Sequence, residues 1–441
     1  MLRTSLLAGI GAGLLFTSIA MAQVTVWVDF TSDMHNGIGG GPNGKADWVD
    51  ELDKATASAG VTTFTPAERA TIQTDILSQL GTIWSGYDVT FTTTMPASGV
   101  FDAIAYGKTS FGFGALGIAP VDPGNIASGQ VGGVATGNFD FILDEFTGTT
   151  SRPTQLAQLG TALAGTGSHE LGHTFGLMHH HAYSDPSITP ATYGATGGAQ
   201  NKYVMATGET GLTEAGREVM RGFSPWEKAM LDMAGGATAA YPTLDNKKLV
   251  AAPVPIFLME DGPFDAGSTP ATALGLPLTP GMTSGMKLAL AAGDLDGSPS
   301  DADMYKIVVT EPSLLCAEIF SHNRFASPFD FDSELVLADA GGAPIMVNDD
   351  LFYDGDVFGA VTFQQDDSFL LNIPVMPGVY HLLVHGSPTP SIPAAAGDAY
   401  WLAVGLSPVP EPTLLGGLFA MGFLAFGRRR PRWKLRSTPR S

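Results

Sequence analysis

His169-Glu170-Leu171-Gly172-His173-Thr174-Phe175-Gly176-Leu177-Met178-His179 is the stretch on which the reading of this chain turns. His169 and His173 are four residues apart, so on a helix both imidazoles face one point. Glu170 lies beside them, within reach of a water held at that point. Gly176 is placed to end the helix by adopting φ > 0. The chain then turns and brings back His179 as a third nitrogen ligand. Three neutral imidazoles leave a tetrahedral zinc with one open position, the arrangement of catalytic rather than closed structural sites.

The surroundings fit a layered α/β unit. Val24 to Phe30 is β-branched and aromatic and predicts a first strand. A Gly-rich loop follows near Gly37 to Gly44. Thr65-Pro66-Ala67-Glu68 is a capping box with Pro at the first helical position, and apolar residues from Ala70 to Trp84 recur at helical spacing. Asp88 to Thr94, Phe101 to Tyr106 and Val131 to Leu143 read as strands. A second helix is expected from about Pro153 to Leu177. Ser224-Pro225-Trp226-Glu227 opens another, ending near Gly235. A Pro-containing linker, 236–256, leads to a different texture over 257–405. There, short apolar or alternating runs are separated by turns rich in Gly, Asp and Pro, the signature of an all-β sandwich. The expected fold class is thus α+β and multidomain, an α/β catalytic unit over 23–235 followed by the sandwich.

Composition narrows the function. The 441 residues hold 55 Gly and 30 Pro but are only 15% charged, which favours β and loop structure over coiled coil. The net charge is -21. The two ends, residues 1–22 and 406–441, carry eight of the 22 basic residues and one acid, so the body is more acidic still. Such a surface repels phosphate, and nucleic acid is not expected as a partner. One cysteine, Cys316, allows no internal disulfide and reads as a small buried hydrophobe.

Both ends read as addresses. Residues 1–22 show a charged start at Arg3, an apolar run from Leu6 to Ile19 and small residues at Ala20 and Ala22, the pattern of a secretion signal. At the other end Pro410-Glu411-Pro412 precedes a 13-residue apolar run, Leu414 to Phe426, and then Arg428-Arg429-Arg430-Pro431-Arg432. That run is short for a bilayer span of about 20 residues, and the basic cluster marks the side that stays cytoplasmic. The physical reading is a transient inner-membrane association late in export. The segment resembles the PEP-CTERM sorting signal of Gram-negative bacteria. That resemblance implies an exosortase-type partner that removes the tail, and delivery to the cell surface or the extracellular polysaccharide matrix.

The histidine stretch resembles the metzincin zinc metallopeptidases, whose motif HExxHxxGxxH is followed by a Met-turn. The resemblance covers 23–235. It implies His169, His173 and His179 as zinc ligands, Glu170 as the catalytic base, and Met205 of Tyr203-Val204-Met205-Ala206 as the apolar floor of the site. On the residues alone Met205 also reads as an ordinary core methionine. The residue after the third histidine distinguishes subfamilies, and His180-His181 matches no familiar marker. Either of these is an alternative third ligand, though the spacing from Gly176 favours His179. Thr207 stands where some subfamilies carry a switchable tyrosine ligand.

Residues 257–405 resemble the bacterial pre-peptidase C-terminal domain, through Asp301 to Ile307, Leu335 to Gly342 and Tyr400 to Val404. Two acid clusters there, Asp294, Asp296, Asp301 and Asp303, then Asp349, Asp350, Asp354 and Asp356, read either as Ca2+ ligands or as solvated turn residues. The expectation from the whole sequence is an exported zinc metalloendopeptidase acting on a protein or peptide. The alternatives are a surface-binding protein with a vestigial zinc site, or a zinc hydrolase of a non-peptide matrix component. The intact Glu170 argues against a vestigial site, which has no need of a base.

Overall fold

Val24–Asp29 (β1) lies between two parallel neighbours, and that arrangement positions everything N-terminal to the histidine helix. The structure is a computed structural model that describes residues 24–34, 42–99, 101–107, 115–122, 129–144, 150–183, 200–206, 212–234, 254, 256–258, 266–295, 301–320, 332–349, 357–358, 361–362, 368–387 and 398–409. The secretion signal, most of the linker and residues 410–441 lie outside these residues, as do Thr207, Asp296, Asp350, Asp354 and Asp356; residues 406–408, expected in the tail, continue the last strand of the sandwich.

The first lobe is a five-stranded sheet with helices. Its strands are β1, β2 (Val89–Thr92), β3 (Asp102–Tyr106), β4 (Gly117–Ile118) and β5 (Val131–Val134), in the order β2-β1-β3-β5-β4. All pairings are parallel except β4 with β5, so an antiparallel strand forms one edge. Helix α1 (Asp47–Ser58) buries Trp48, Leu52 and Ala55. The expected capping box opens α2 (Pro66–Ile83): Thr65 and Glu68 bond each other's backbone, and Ile72, Ile76, Leu80 and Ile83 form its buried stripe. Helix α2 packs along α4 (Arg152–Thr174), whose Leu156, Leu159 and Leu163 face the same core.

Two expectations are corrected, and one helix is added. Val131 to Leu143 is not one strand. After β5 the chain makes a 3-10 turn at Thr136–Asn138 and the short helix α3 (Asp140–Asp144). Polar side chains hold that turn: Thr136 Oγ1 accepts from Gly107 N–H at 3.1 Å and Asn138 Nδ2 donates to Ala115 O at 2.8 Å. The histidine helix ends at Thr174 rather than Leu177. Helix α1 has no counterpart in the sequence reading, which passed from the Gly-rich loop to Thr65. Its N-cap, Ala46, makes no side-chain cap, and acids crowd its short apolar stripe. Two further short helices, α5 (Glu214–Arg217) and α6 (Pro225–Met233), complete the lobe, and α6 begins with the predicted box at Ser224 and Glu227.

The second lobe is all β. Its strands are β6 (Ile256–Leu258), β7 (Leu274–Gly275), β8 (Thr279–Pro280), β9 (Lys287–Leu295), β10 (Ala302–Val309), β11 (Ser313–Phe320), β12 (Ser333–Ala338), β13 (Pro344–Asn348), β14 (Val357–Phe358), β15 (Val361–Thr362), β16 (Phe369–Val375), β17 (Gly378–Gly386) and β18 (Asp398–Pro408). One sheet runs β13-β12-β17-β10-β7 and the other β16-β11-β18-β9-β6. Between them pack Tyr305, Ile307, Leu335, Leu337, Leu382 and Val384 from the first sheet and Leu315, Ile319, Leu402, Val404 and Leu406 from the second. This is the expected sandwich.

The second sheet is buried on both faces. Its other side, with Leu288, Leu290, Cys316, Phe320, Phe369, Leu371 and Ala403, joins Trp226, Met230 and the rest of the first lobe in one continuous core. The Trp226 and Phe369 rings stack at 6.1 Å. At the same boundary Asp232 accepts from Thr283 N–H and Ser284 N–H. The lobes therefore share a core, and the sandwich is a layer of the molecule rather than a tethered appendage. No helix among the described residues is long and apolar enough to cross a membrane.

Candidate metal centre

The last turn of α4 builds the site. Gly176, at φ 91°, closes the helix: its N–H bonds His173 O at 2.9 Å, and Leu177 N–H bonds Gly172 O at 3.0 Å. This paired closure needs a left-handed residue, which glycine adopts without penalty. It also turns Leu177 O back onto the helix, where it accepts from His173 Nδ1 at 2.8 Å. Past the turn, a 3-10 segment, His179–Tyr183, returns the third histidine.

The three predicted ligands come together. His169 Nε2 lies 3.0 Å from His179 Nε2, His173 Nε2 3.2 Å from His169 Nε2, and His173 Nε2 3.1 Å from His179 Nε2. Nitrogens around a tetrahedral zinc, at about 2.0–2.1 Å each, are about 3.3 Å apart. The triangle fits that demand closely. The ring protons are also disposed for it. His169 Nδ1 faces Val204 O at 2.9 Å and His173 Nδ1 faces Leu177 O. Carbonyls accept only, so both rings carry their proton on Nδ1 and turn a lone pair on Nε2 to the centre. Burial first, then His173, His179 and Arg221, hold His169 well below the ordinary histidine range, with the Val204 carbonyl opposing. A neutral His169 follows.

Met205 packs against this helix at Gly172. A Cβ at Gly172 would stand 2.6 Å from Met205 Sδ, so a glycine between the two helical histidines lets the thioether approach. The turn at Met205 is clamped by Arg221, which carries no sequence signal, and by Glu227, read from the sequence only as a capping residue. Buried Arg221 donates through Nη1 to Tyr203 O, Val204 O and Ala206 O at 3.1–3.3 Å. Glu227 Oε1 accepts from Met205 N–H at 3.0 Å. Val204 O thus joins Arg221 to the His169 ring.

Glu170 points to the sheet edge. Its carboxylate occupies the space a side chain on Gly117 of β4 would need, and its Cβ lies against Gly132 of β5. Burial pushes it up to about 8.

His180 and His181 do not enter the triangle. They meet Glu318, 137–138 residues on, in β11. His181 Nε2 lies 3.0 and 3.1 Å from the two carboxylate oxygens, His180 Nε2 contacts Oε1, and Trp226 Nε1 donates to Oε2 at 2.8 Å. Burial raises the pKa of Glu318, but the two imidazoles more than offset this and hold it below the usual carboxylate range. These three residues form a second group close enough to ligate a metal. The protons argue otherwise, because Met178 N–H donates to His181 Nδ1 at 2.9 Å. A neutral His181 must then carry its proton on Nε2, which points at Glu318 and offers no lone pair.

Of the eight acids read as possible calcium ligands, the side chains of Asp294, Asp296, Asp350, Asp354 and Asp356 lie outside the described residues. Asp303 is buried and accepts from the Tyr400 hydroxyl, within the sandwich rather than on a loop. Cys316 is free and buried, as read, and burial pushes its thiol up to about 12.

No family model matches the chain, and no curated protein matches it. Among solved structures, PliG from Aeromonas hydrophila, a periplasmic inhibitor of g-type lysozyme, is 13% identical over 30% of this chain and 93% of its own, with a TM-score of 0.18. A family GH115 4-O-methyl-α-glucuronidase with specificity for decorated arabinogalactans is 12% identical over 58% of this chain and 29% of its own, with a TM-score of 0.17. At these scores neither likeness carries an argument about fold or activity.

Proposed function

We propose that this chain is a zinc-dependent, metzincin-like metalloendopeptidase, exported to the cell surface or its matrix. The observation that carries the reading is the triangle of His169, His173 and His179 Nε2 atoms, 3.0–3.2 Å on a side, with Glu170 on the same helix. Zinc held there supplies a Lewis acid that acidifies water and polarises a carbonyl. The Glu170 carboxylate takes the proton of the attacking water and returns it to the leaving amine. Burial alone raises Glu170 to about 8, and a cation at the triangle would favour its carboxylate form. Met205 and Leu177 keep the helical ligands on apolar footing, and the carbonyls of Val204 and Leu177 fix their tautomers.

The edge strand supports a peptide substrate over other acyl compounds. β4 is antiparallel, lies at the end of its sheet and touches Glu170 through Gly117. An extended peptide can add to such an edge by main-chain hydrogen bonds. Secretion, tail removal by an exosortase-type enzyme and matrix delivery rest on the terminal sequences.

The test is zinc content and cleavage of a mixed peptide library, measured together on the purified protein and on Glu170→Gln. One zinc per chain in both, with cleavage reduced about 10²–10⁴-fold in the variant, is the expected result. Zinc without cleavage in either protein would refute the peptidase reading.

A further inference from the structure

Glu318 is a buried acid that the proposed mechanism does not use. Along β11 side chains alternate: Leu315, Ala317 and Ile319 enter the sandwich core, while Cys316 and Phe320 enter the core shared with the first lobe. Glu318 sits on that second, apolar face and is 1% exposed. An isolated carboxylate there is strongly disfavoured, so it persists only because donors surround it. Those donors are His180 Nε2, His181 Nε2 and Trp226 Nε1. Two of the three belong to the residues that directly follow the ligand His179.

The turn is consequently held at every residue. His179 enters the triangle. His180 is fixed by Glu318, with its ring 5.3 Å from that of Phe369. His181 is fixed at both nitrogens, by Met178 N–H and by Glu318, and its carbonyl accepts from Ser224 Oγ at 2.6 Å. A ligand on a turn outside a helix has no i,i+4 ladder to orient it; here the anchors lie in the next two side chains.

We propose that Glu318 is a positioning residue of the metal centre: the sandwich supplies a buried carboxylate that grips His180 and His181 and so holds His179 in its ligand position. This rests on reading the His169–His173–His179 group as a metal centre. It also assigns the His180–His181–Glu318 group as a hydrogen-bonded brace and not as a second metal site.

The experiment compares zinc stoichiometry, zinc affinity and the visible spectrum of the cobalt(II)-loaded full chain for four proteins: parent, Glu318→Gln, His180→Phe and Leu371→Ala. Glu318→Gln keeps the shape but places an NH2 against ring N–H donors. His180→Phe loosens the same brace and leaves Glu318 with two donors, so it carries the test if the Gln variant does not fold. Leu371→Ala weakens the same sheet face without touching the brace, and reports what destabilisation alone does. The expected result is one zinc per chain in the parent. Affinity falls about 10–100-fold, with an altered cobalt spectrum, in the two brace variants. Leu371→Ala keeps parental affinity and spectrum. Parental affinity and spectrum in the brace variants would overturn the proposal, as would an equal loss in Leu371→Ala. Two zinc ions in the parent falling to one in Glu318→Gln would make Glu318 a ligand instead and would also overturn it. No metal in the parent would remove the metal-centre reading itself, a failure distinct from the others.

Discussion

Gly172→Ala tests the contact between the histidine helix and Met205. The new Cβ would lie 2.6 Å from Met205 Sδ, 3.3 Å from Leu177 Cδ1 and 3.6 Å from Met205 Cε. Comfortable contact requires about 3.5–4.0 Å, so the sulfur must retreat by roughly 1 Å. Methionine has the torsional freedom for this. Met205 is wholly buried, however, and its N–H is tied to Glu227, so the retreat compresses a packed core. Such overpacking costs about 1–3 kcal/mol, against about 1 kcal/mol returned by replacing a helical glycine with alanine. The single variant should lose about 0–2 kcal/mol. Met205→Ala alone should lose about 2–5 kcal/mol through the cavity it leaves. In the double variant the added methyl meets no sulfur and partly fills that cavity. The two changes should therefore couple favourably, by about 1–3 kcal/mol. Urea unfolding of all four proteins in chelator, so that metal does not contribute, gives the cycle. Additivity within about 0.5 kcal/mol would show that Gly172 and Met205 do not meet and would refute the packing argument.

Further outcomes follow from other contacts. Gly176→Ala forces a side chain into φ 91°, with a strain of about 1–2 kcal/mol carried by the turn that orients His173 and returns His179; titration should show zinc affinity lowered several-fold, and unchanged affinity would mean the turn does not set the ligand geometry. Glu68 is held down to about 2 by its bond to Arg152, helped by the Thr65 N–H. A depressed carboxylate pKa contributes stability above its unfolded value, near 4.5, that is lost as pH falls toward 2. Urea midpoints measured across that window should flatten in Glu68→Gln; an equal acid dependence in both proteins would exclude this pair as its source. The three imidazoles converge only in the folded chain, so zinc at 100 times its Kd should stabilise the protein by about 2.7 kcal/mol over the chelated form, read as a shift of the thermal midpoint.

What the sequence discloses here depends on range. The helical histidines, the Gly176 turn and the capping boxes at Thr65 and Ser224 are decided by residues within a few positions of one another, and each formed where its chemistry pointed. The sandwich also declared itself through strands such as β10, whose exposed Lys306 and Val308 mark one solvated face. Strands β9 and β11 carry weaker signals than β16 and β18 of the same doubly covered sheet: β9 is rich in Ala and Gly, and β11 has an acid inside its apolar run. Arg221 and Glu318, and the bond from Met205 N–H to the capping residue Glu227, carry no local signal because these contacts exist only in space. Glu318 did leave one trace: a single acid inside Leu314-Leu315-Cys316-Ala317-Glu318-Ile319-Phe320 is out of place in a buried strand unless something receives it.

The span of the Glu318 brace also sets an order of events during synthesis. The histidine turn emerges 137–138 residues before the carboxylate that secures it. Closing a loop of that length costs about 2 kcal/mol more entropy than closing one of a dozen residues, and contacts so distant are made late in folding. A nascent chain can therefore complete its helices and its parallel sheet while the turn after His179 is still unsecured. On the proposed reading, the contacts that secure this turn are available only after the far half of the polypeptide has been made.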